Sequence, residues 1–241
     1  MNNLYFYVGI VVFLFVSGNI VSVLMFLSPV KTFWRIVKKG STEEFESLPY
    51  ICTLLNSSLW TYYGIIKPGS YLVATVNGFG MVVEIVYISL FLIYAPPTTR
   101  VKTAKVAGIV DVLVFTVTVF VTQFGMEDET RINVIGFMGA ALNIVMYASP
   151  LSVMRLVWTT KSIEYMPFLL SLFLFLNGGI WTFYAFLVQD WYLAVPNGSG
   201  FVLGFAQLVL YSIYCKSKTT SDDSDGGGWQ HRHLLQPSTS N

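Results

Sequence analysis

Asn56 and Trp60 return 121 residues later as Asn177 and Trp181, and Asn77 returns after 120 residues as Asn197. Each Asn amide offers two donors and an acceptor without net charge, which suits a neutral polyol. Each Trp offers a flat apolar face to the C–H side of a sugar ring. Ser22 and Asn143, again 121 apart, supply polar groups at the level of Asn56 and Asn177. Met25 and Met146 lie about one helical turn further along. A single Asn in an apolar segment is most simply a bridge between helices. Two symmetric pairs beside two symmetric Trp residues point instead to a ligand site shared by two copies of one unit.

The elements that must hold these residues are apolar. Of 241 residues 54% are hydrophobic and 11% charged, with a mean hydropathy of +0.63, against about a quarter charged in a soluble domain. Too little polar sequence remains to coat a water-soluble helical core. Seven stretches of roughly 17–25 residues, nearly free of charge, are long enough to cross about 30 Å of hydrocarbon: residues 5–27, 48–66, 71–94, 103–124, 132–154, 165–188 and 191–215. The first lacks the basic flank and the small-residue cleavage site of a secretory signal, so it is expected to be retained. Of the 14 Lys and Arg residues, 12 fall after spans one, three and five, at the start of span four or in the tail; only Lys67 and Arg131 lie opposite. The basic side faces the cytosol, which places the C-terminus there.

Ser28-Pro29 also returns as Ser149-Pro150, and Tyr71-Leu72 as Tyr192-Leu193. The predicted organisation is an all-α membrane protein in a 3+1+3 arrangement. Residues 5–94 form the first three-helix repeat, 103–124 a linker helix, 132–215 the second repeat and 216–241 a disordered cytosolic tail. The linker, an odd span, gives both repeats the same orientation, so that equivalent residues face one another at equal depth. Trp60 and Trp181 then lie about 9 Å in from the outer ends of their helices, with Asn77 and Asn197 at the same level. Pro29, Pro49, Pro150 and Pro167 fall at the cytosolic ends of spans one, two, five and six, where each removes a backbone donor and permits a bend. Together they form a candidate ring of hinges at an inner gate.

Two carboxylates lie within spans. Glu84 is a possible proton site, but its repeat counterpart is Gly204, and for both Glu84 and Asp111 structural hydrogen bonding is the expectation. His231 and His233 are in the tail, so no His relay crosses the membrane. Without a Walker A loop, a Cys/His metal cluster or a nucleophile elbow, no cofactor, metal, nucleic acid or enzymatic activity is expected. The expected partners are a small-molecule sugar and the lipid bilayer.

The chain resembles the SWEET sugar transporters of the MtN3/saliva family up to about residue 218. The resemblance is carried by Leu27-Ser28-Pro29, Ser41-Thr42-Glu43-Glu44, Leu59-Trp60-Thr61-Tyr62-Tyr63-Gly64, Thr75-Val76-Asn77-Gly78, Tyr147-Ala148-Ser149-Pro150 and Val195-Pro196-Asn197-Gly198. It implies sugar contacts by Asn77 and Asn197 flanked by Trp60 and Trp181, and size selection by Met25, Asn56, Met146 and Asn177, with Ser22 and Asn143 nearby. It further implies hinges at the four prolines, an outer gate of Tyr63 with Asp190 and Lys67, and a homo-oligomer. Pro49-Tyr50-Ile51-Cys52-Thr53-Leu54 and Asn77-Gly78-Phe79-Gly80 look most like the plant branch placed in the vacuolar membrane and associated with hexoses; the plasma membrane is the alternative. The expected activity is bidirectional facilitated transport of a monosaccharide such as glucose or fructose by alternating access. The rivals are a proton-coupled transporter using Glu84, which a protonophore would stop, a seven-helix receptor, which the duplication disfavours, and a membrane-embedded enzyme, for which no catalytic constellation is present.

Overall fold

Exposure in this chain is inverted relative to a water-soluble fold. Val82, Ile93, Phe120, Phe124, Phe137, Phe183 and Val202 are all more than 60% exposed, while Glu84, Asp190 and Gln207 are buried. Apolar belts around buried polar groups require a solvent of lipid, and in lipid each span must satisfy its own backbone, which a helix does. The computed structural model describes residues 2–233, all of them helical or in short connections. In order these are α1 (Asn2–Phe26), α2 (Val30–Lys39), α3 (Leu48–Ile66), α4 (Tyr71–Tyr94), α5 (Pro97–Ala107), a π-helical stretch (Gly108–Val114), α6 (Phe115–Gly125), α7 (Asp128–Met146), α8 (Ala148–Thr160), α9 (Phe168–Leu187) and α10 (Trp191–His233).

Six helical stretches among the described residues are long and apolar enough to cross a membrane. The remaining predicted span, α3, is less apolar because Thr53, Asn56, Ser57, Ser58 and Thr61 interrupt it. Its 19 residues still reach about 28 Å. It is packed between α4 and α7, so little of it must dissolve in lipid.

The helix packing has a two-fold pattern. α1 packs against α4 and α9, and α7 packs against α10 and α3; α3 against α4 corresponds to α9 against α10. The α1–α9 and α3–α7 contacts join the halves and enclose the space between them. The α5–α6 stretch leans chiefly on α3 and α4, and Thr103 and Thr122 are its fully buried side chains. It has no counterpart in the second half, as a linker would not.

Two features differ from the sequence expectation. The basic stretch after span one is a helix, α2, which buries Phe33 and Ile36 against Tyr87, Phe91 and Ala95. The fifth span, expected to run unbroken over 132–154, ends at Met146, and α8 starts at Ala148. Pro150 is the cause, since its ring and missing N–H cannot continue α7 through the Met146 carbonyl. The Tyr147 N–H instead closes the helix on the Asn143 and Ile144 carbonyls. The same break precedes α2, where Ser28 and Val30 make three-residue turns onto Met25 and Leu27 around Pro29. α10 continues past residue 215 to His233; residues 234–241 of the predicted tail lie outside the described residues.

Candidate functional site

Between the halves lies a cavity of about 410 Å³, which reaches from Trp60, Val73 and Leu193 at one end to Ser28, Pro29 and Pro49 at the other. All ten predicted sugar-site residues line it. Asn77 and Asn197 face it from α4 and α10, Trp60 and Asn56 from α3, and Trp181 and Asn177 from α9; Ser22 and Met25 line it from α1, Asn143 and Met146 from α7. Residues spread over 176 sequence positions therefore meet because two copies of one helical pattern face each other.

The amides are held alike in both halves. Asn77 Nδ2 donates to the Val73 carbonyl and Asn197 Nδ2 to the Leu193 carbonyl, each at 2.8 Å. This bond back to the preceding turn fixes the amide plane and leaves one N–H and the carbonyl oxygen without a partner among the described residues. The indoles are also held alike. Trp60 meets Tyr63 edge-on at 5.3 Å and Trp181 meets Tyr184 at 5.4 Å. Each indole also lies over a glycine of the opposite half: a Cβ on Gly18 would come within 3.2 Å of Trp181, and one on Gly139 within 3.0 Å of Trp60. Gly18 and Gly139, 121 residues apart, open the two copies of the repeat in the sequence, but sequence reasoning gave them no place at the indoles.

Polar pairing breaks the symmetry. Trp181 Nε1 donates to Ser22 Oγ at 2.9 Å, and Ser22 Oγ donates to Asn177 Oδ1 at 2.6 Å. On the opposite wall Asn56 Oδ1 is buried without a partner. The second glycine of each Asn-Gly-x-Gly motif makes room for an aromatic ring on the cavity wall. A Cβ on Gly80 would fall 2.4 Å from the Phe26 ring, and one on Gly200 2.5 Å from the Tyr147 hydroxyl.

Beyond the Trp end the halves are tied together. The Tyr63 hydroxyl donates to the Asp190 carboxylate, Lys67 Nζ donates to the Tyr63 oxygen at 2.9 Å, and Lys67 pairs with Asp190 at 2.6 Å. Asp190 Oδ1 also accepts the Leu193 N–H at the start of α10, so one carboxylate caps a helix and anchors this contact. The three residues that the resemblance assigns to an outer gate are thus in mutual contact.

The prolines are brought together less completely. Pro29 precedes α2 and Pro49 lies in the first turn of α3, and both line the cavity. Pro150 lies in the first turn of α8 and Pro167 directly precedes α9, away from the cavity wall. Against the structural hydrogen bonding expected of the two carboxylates, Glu84 Oε2 and both Asp111 oxygens are buried without partners among the described residues. Glu84, moreover, lines the cavity. Its place on the same α4 face as Asn77, seven residues away, was the available signal.

The family model described as a sugar efflux transporter for intercellular exchange matches twice, over residues 12–99 and 133–219. The chain is 58% identical to the bidirectional sugar transporter SWEET17 of Arabidopsis thaliana over 88% of its length and 86% of the relative's. It is 50% identical to SWEET16 of the same plant over 94% and 96%. The fold superimposes on a solved eukaryotic SWEET transporter with a TM-score of 0.84 and 40% identity, covering 88% of this chain and 99% of that one. Two matches to one family unit, relatives of this identity along most of their length, and a shared helical fold show that the chain belongs to the MtN3/saliva family of SWEET sugar transporters.

Proposed function

We propose that this chain is a bidirectional facilitator that carries one neutral monosaccharide per cycle across a membrane by alternating access. The observation that carries this reading is the cavity between the repeats, lined by paired amides and paired indoles and closed beyond the indoles by Tyr63, Asp190 and Lys67. Its volume of about 410 Å³ is at the small end of ligand cavities, which suits one sugar ring. The sugar binds between Asn77 and Asn197 with Trp60 and Trp181 against its apolar faces. Tyr63, Asp190 and Lys67 act as the outer gate, shut in this state, and Pro29, Pro49, Pro150 and Pro167 let the inner ends of the helices rock.

The repeats are assigned to residues 5–94 and 132–215 with 103–124 as linker. A homo-oligomer in the vacuolar membrane is proposed on the family resemblance, and the distribution of basic residues supports a cytosolic C-terminus. Proteoliposomes preloaded with labelled glucose test the transport reading. Release down the gradient, in either direction and with no proton gradient imposed, is expected. Accumulation above the external level driven by an acid exterior would overturn it.

A further inference from the structure

The two walls of the cavity are chemically unequal. At the seam where α1 of the first half meets α9 of the second, the polar atoms answer one another, with Trp181 donating to Ser22 and Ser22 to Asn177. On the first-half wall two acceptors, Asn56 Oδ1 and Glu84 Oε2, are buried and receive no hydrogen bond. Glu84 is only 3% exposed and lines the cavity. It stands two turns beyond Asn77 on the same face of α4, about 10 Å nearer the proline end. Glu84 forms no ion pair among the described residues. Its electrostatic neighbours are Tyr50, Tyr87 and Asp111, none of them a cation.

The second half cannot supply a twin. A Cβ at Gly204 would fall 2.5 Å from the Phe175 backbone nitrogen, so the close approach of α10 to α9 leaves no room for a side chain there. Thr53, on the cavity wall of the first half, is matched by Leu174 on the second. The inner part of the path is therefore more polar on the first-half side, where Thr53 and Glu84 face it, than on the second, where Leu174 and Gly204 stand at the matching positions. A buried acceptor left without a donor is unfavourable, and both orphaned acceptors border the space a sugar must cross. A polyhydroxyl ligand brings the donors that the protein lacks.

We propose that Glu84 is a substrate-contacting residue, and that with Asn56 it forms an asymmetric station between the Asn77–Asn197 level and the proline end. A hexose there donates hydroxyl hydrogens to Asn56 Oδ1 and Glu84 Oε2 and is drawn to the first-half wall. This assignment rests on the monosaccharide-transport reading above and adds a contact that the two-fold pattern alone does not contain.

Equilibrium binding of labelled glucose and a set of monodeoxyglucoses to the full-length protein in lipid nanodiscs tests it, using wild type, Glu84→Gln and Glu84→Leu. The Leu variant, which loses the acceptor, is expected to bind glucose about tenfold more weakly, and Gln, which keeps an acceptor oxygen in the same shape, to stay within about threefold. One deoxyglucose should lose about tenfold on wild type and nothing further on the Leu variant, the non-additivity expected of a direct contact. Additive losses, unchanged glucose binding by the Leu variant, or a Gln variant as weak as Leu would each overturn the proposal. The melting temperatures of both variants confirm that folded proteins are compared. A wild type that binds no hexose would instead defeat the transport reading itself, a different result from any of these.

Discussion

Tyr63 and Asp190, 127 residues apart, are joined by the Tyr63 hydroxyl lying 3.0 and 2.9 Å from the two carboxylate oxygens. The contact links α3 of the first half to the start of α10 in the second, with Lys67 as counter-charge. Tyr63→Phe removes both the bond donated to Asp190 and the one accepted from Lys67, a loss of about 1 kcal/mol or more. That is enough to raise the share of the open-gate state by about fivefold. The check is a Val73→Cys reporter on the cavity wall, which should react faster with an impermeant maleimide added on the gate side. Unchanged labelling would mean that this contact does not set the gate.

Asp190→Ala should be the harsher change. It deprives α10 of its N-terminal cap, about 1 kcal/mol, and strands the Lys67 ammonium and the Tyr63 hydroxyl. A loss of about 2–4 kcal/mol overall is expected, read as a lowered melting temperature in detergent.

Asn77→Ala and Asn197→Ala should each lower hexose transport by about tenfold or more at normal expression, since a sugar hydroxyl loses its buried partner. Asp at either position is also expected to impair transport, because a carboxylate cannot donate to the Val73 or Leu193 carbonyl that now orients the amide. Radiotracer uptake in a hexose-transport-deficient yeast measures both; normal uptake by both Ala variants would place the site elsewhere.

Ser22→Ala is expected to destabilise the protein by about 1–3 kcal/mol, because it leaves Trp181 Nε1 and Asn177 Oδ1 unpaired at once. For a chain of this size that lowers the melting temperature by a few degrees. Asn143→Ala, at the equivalent position but with no such bonds, should cost less. Equal losses would show that Ser22 has no special role.

Substrate size should follow the volume of Met25, Asn56, Met146 and Asn177, all on the cavity wall. Replacing them together by Val, Ser, Val and Ser should raise sucrose transport relative to hexose. Apolar pockets discriminate by about 1–3 kcal/mol, so the shift is expected to be graded. A folded quadruple variant with an unchanged ratio would remove these residues from the selectivity filter.

Outside the membrane spans, Glu43 follows α2 with a positive φ of 48° and bonds Arg35 and Lys39. Those hydrogen bonds hold its carboxyl below the usual carboxylate range. A depressed folded pKa adds stability above the unfolded value, about 4.3, and loses it as pH falls through the folded one. Hydrogen exchange at the C-terminal turn of α2 should therefore quicken as pH drops below about 4, beyond the intrinsic trend, and this excess should vanish in Glu43→Gln.

Much of the site was legible because a bilayer makes depth a one-dimensional quantity. Span ends place Trp60 beside Trp181 and Asn77 beside Asn197 by counting 1.5 Å per residue, and helical period gives Asn56 and Trp60 one face. The duplication at 121 then supplies the opposing wall, so all ten cavity residues could be named from the letters alone. The boundaries of α3 and α4 were equally legible, because turns and charges bracket an apolar run.

Lateral choices belonged to the tertiary structure. Whether Ser22 bonds Asn177 of α9 or a partner on its own repeat depends on how α1 lies between α9 and α4, a contact that neither helix encodes by itself. The prolines explain the breaks at Pro29 and Pro150, but where the short helices α2 and α8 then lie is set by their packing against α4 and α10. Glu84 read as a solitary carboxylate outside the two-fold pattern, opposite Gly204; its helical face hinted at the cavity, but the packing of α4 decided that it lines the wall, and the close approach of α9 and α10 explains why a glycine stands opposite. Period and hydropathy set how deep a residue lies and which way it points on its own helix. Its neighbour across the bundle is set by interhelical packing between segments more than a hundred residues apart, and no local pattern records that.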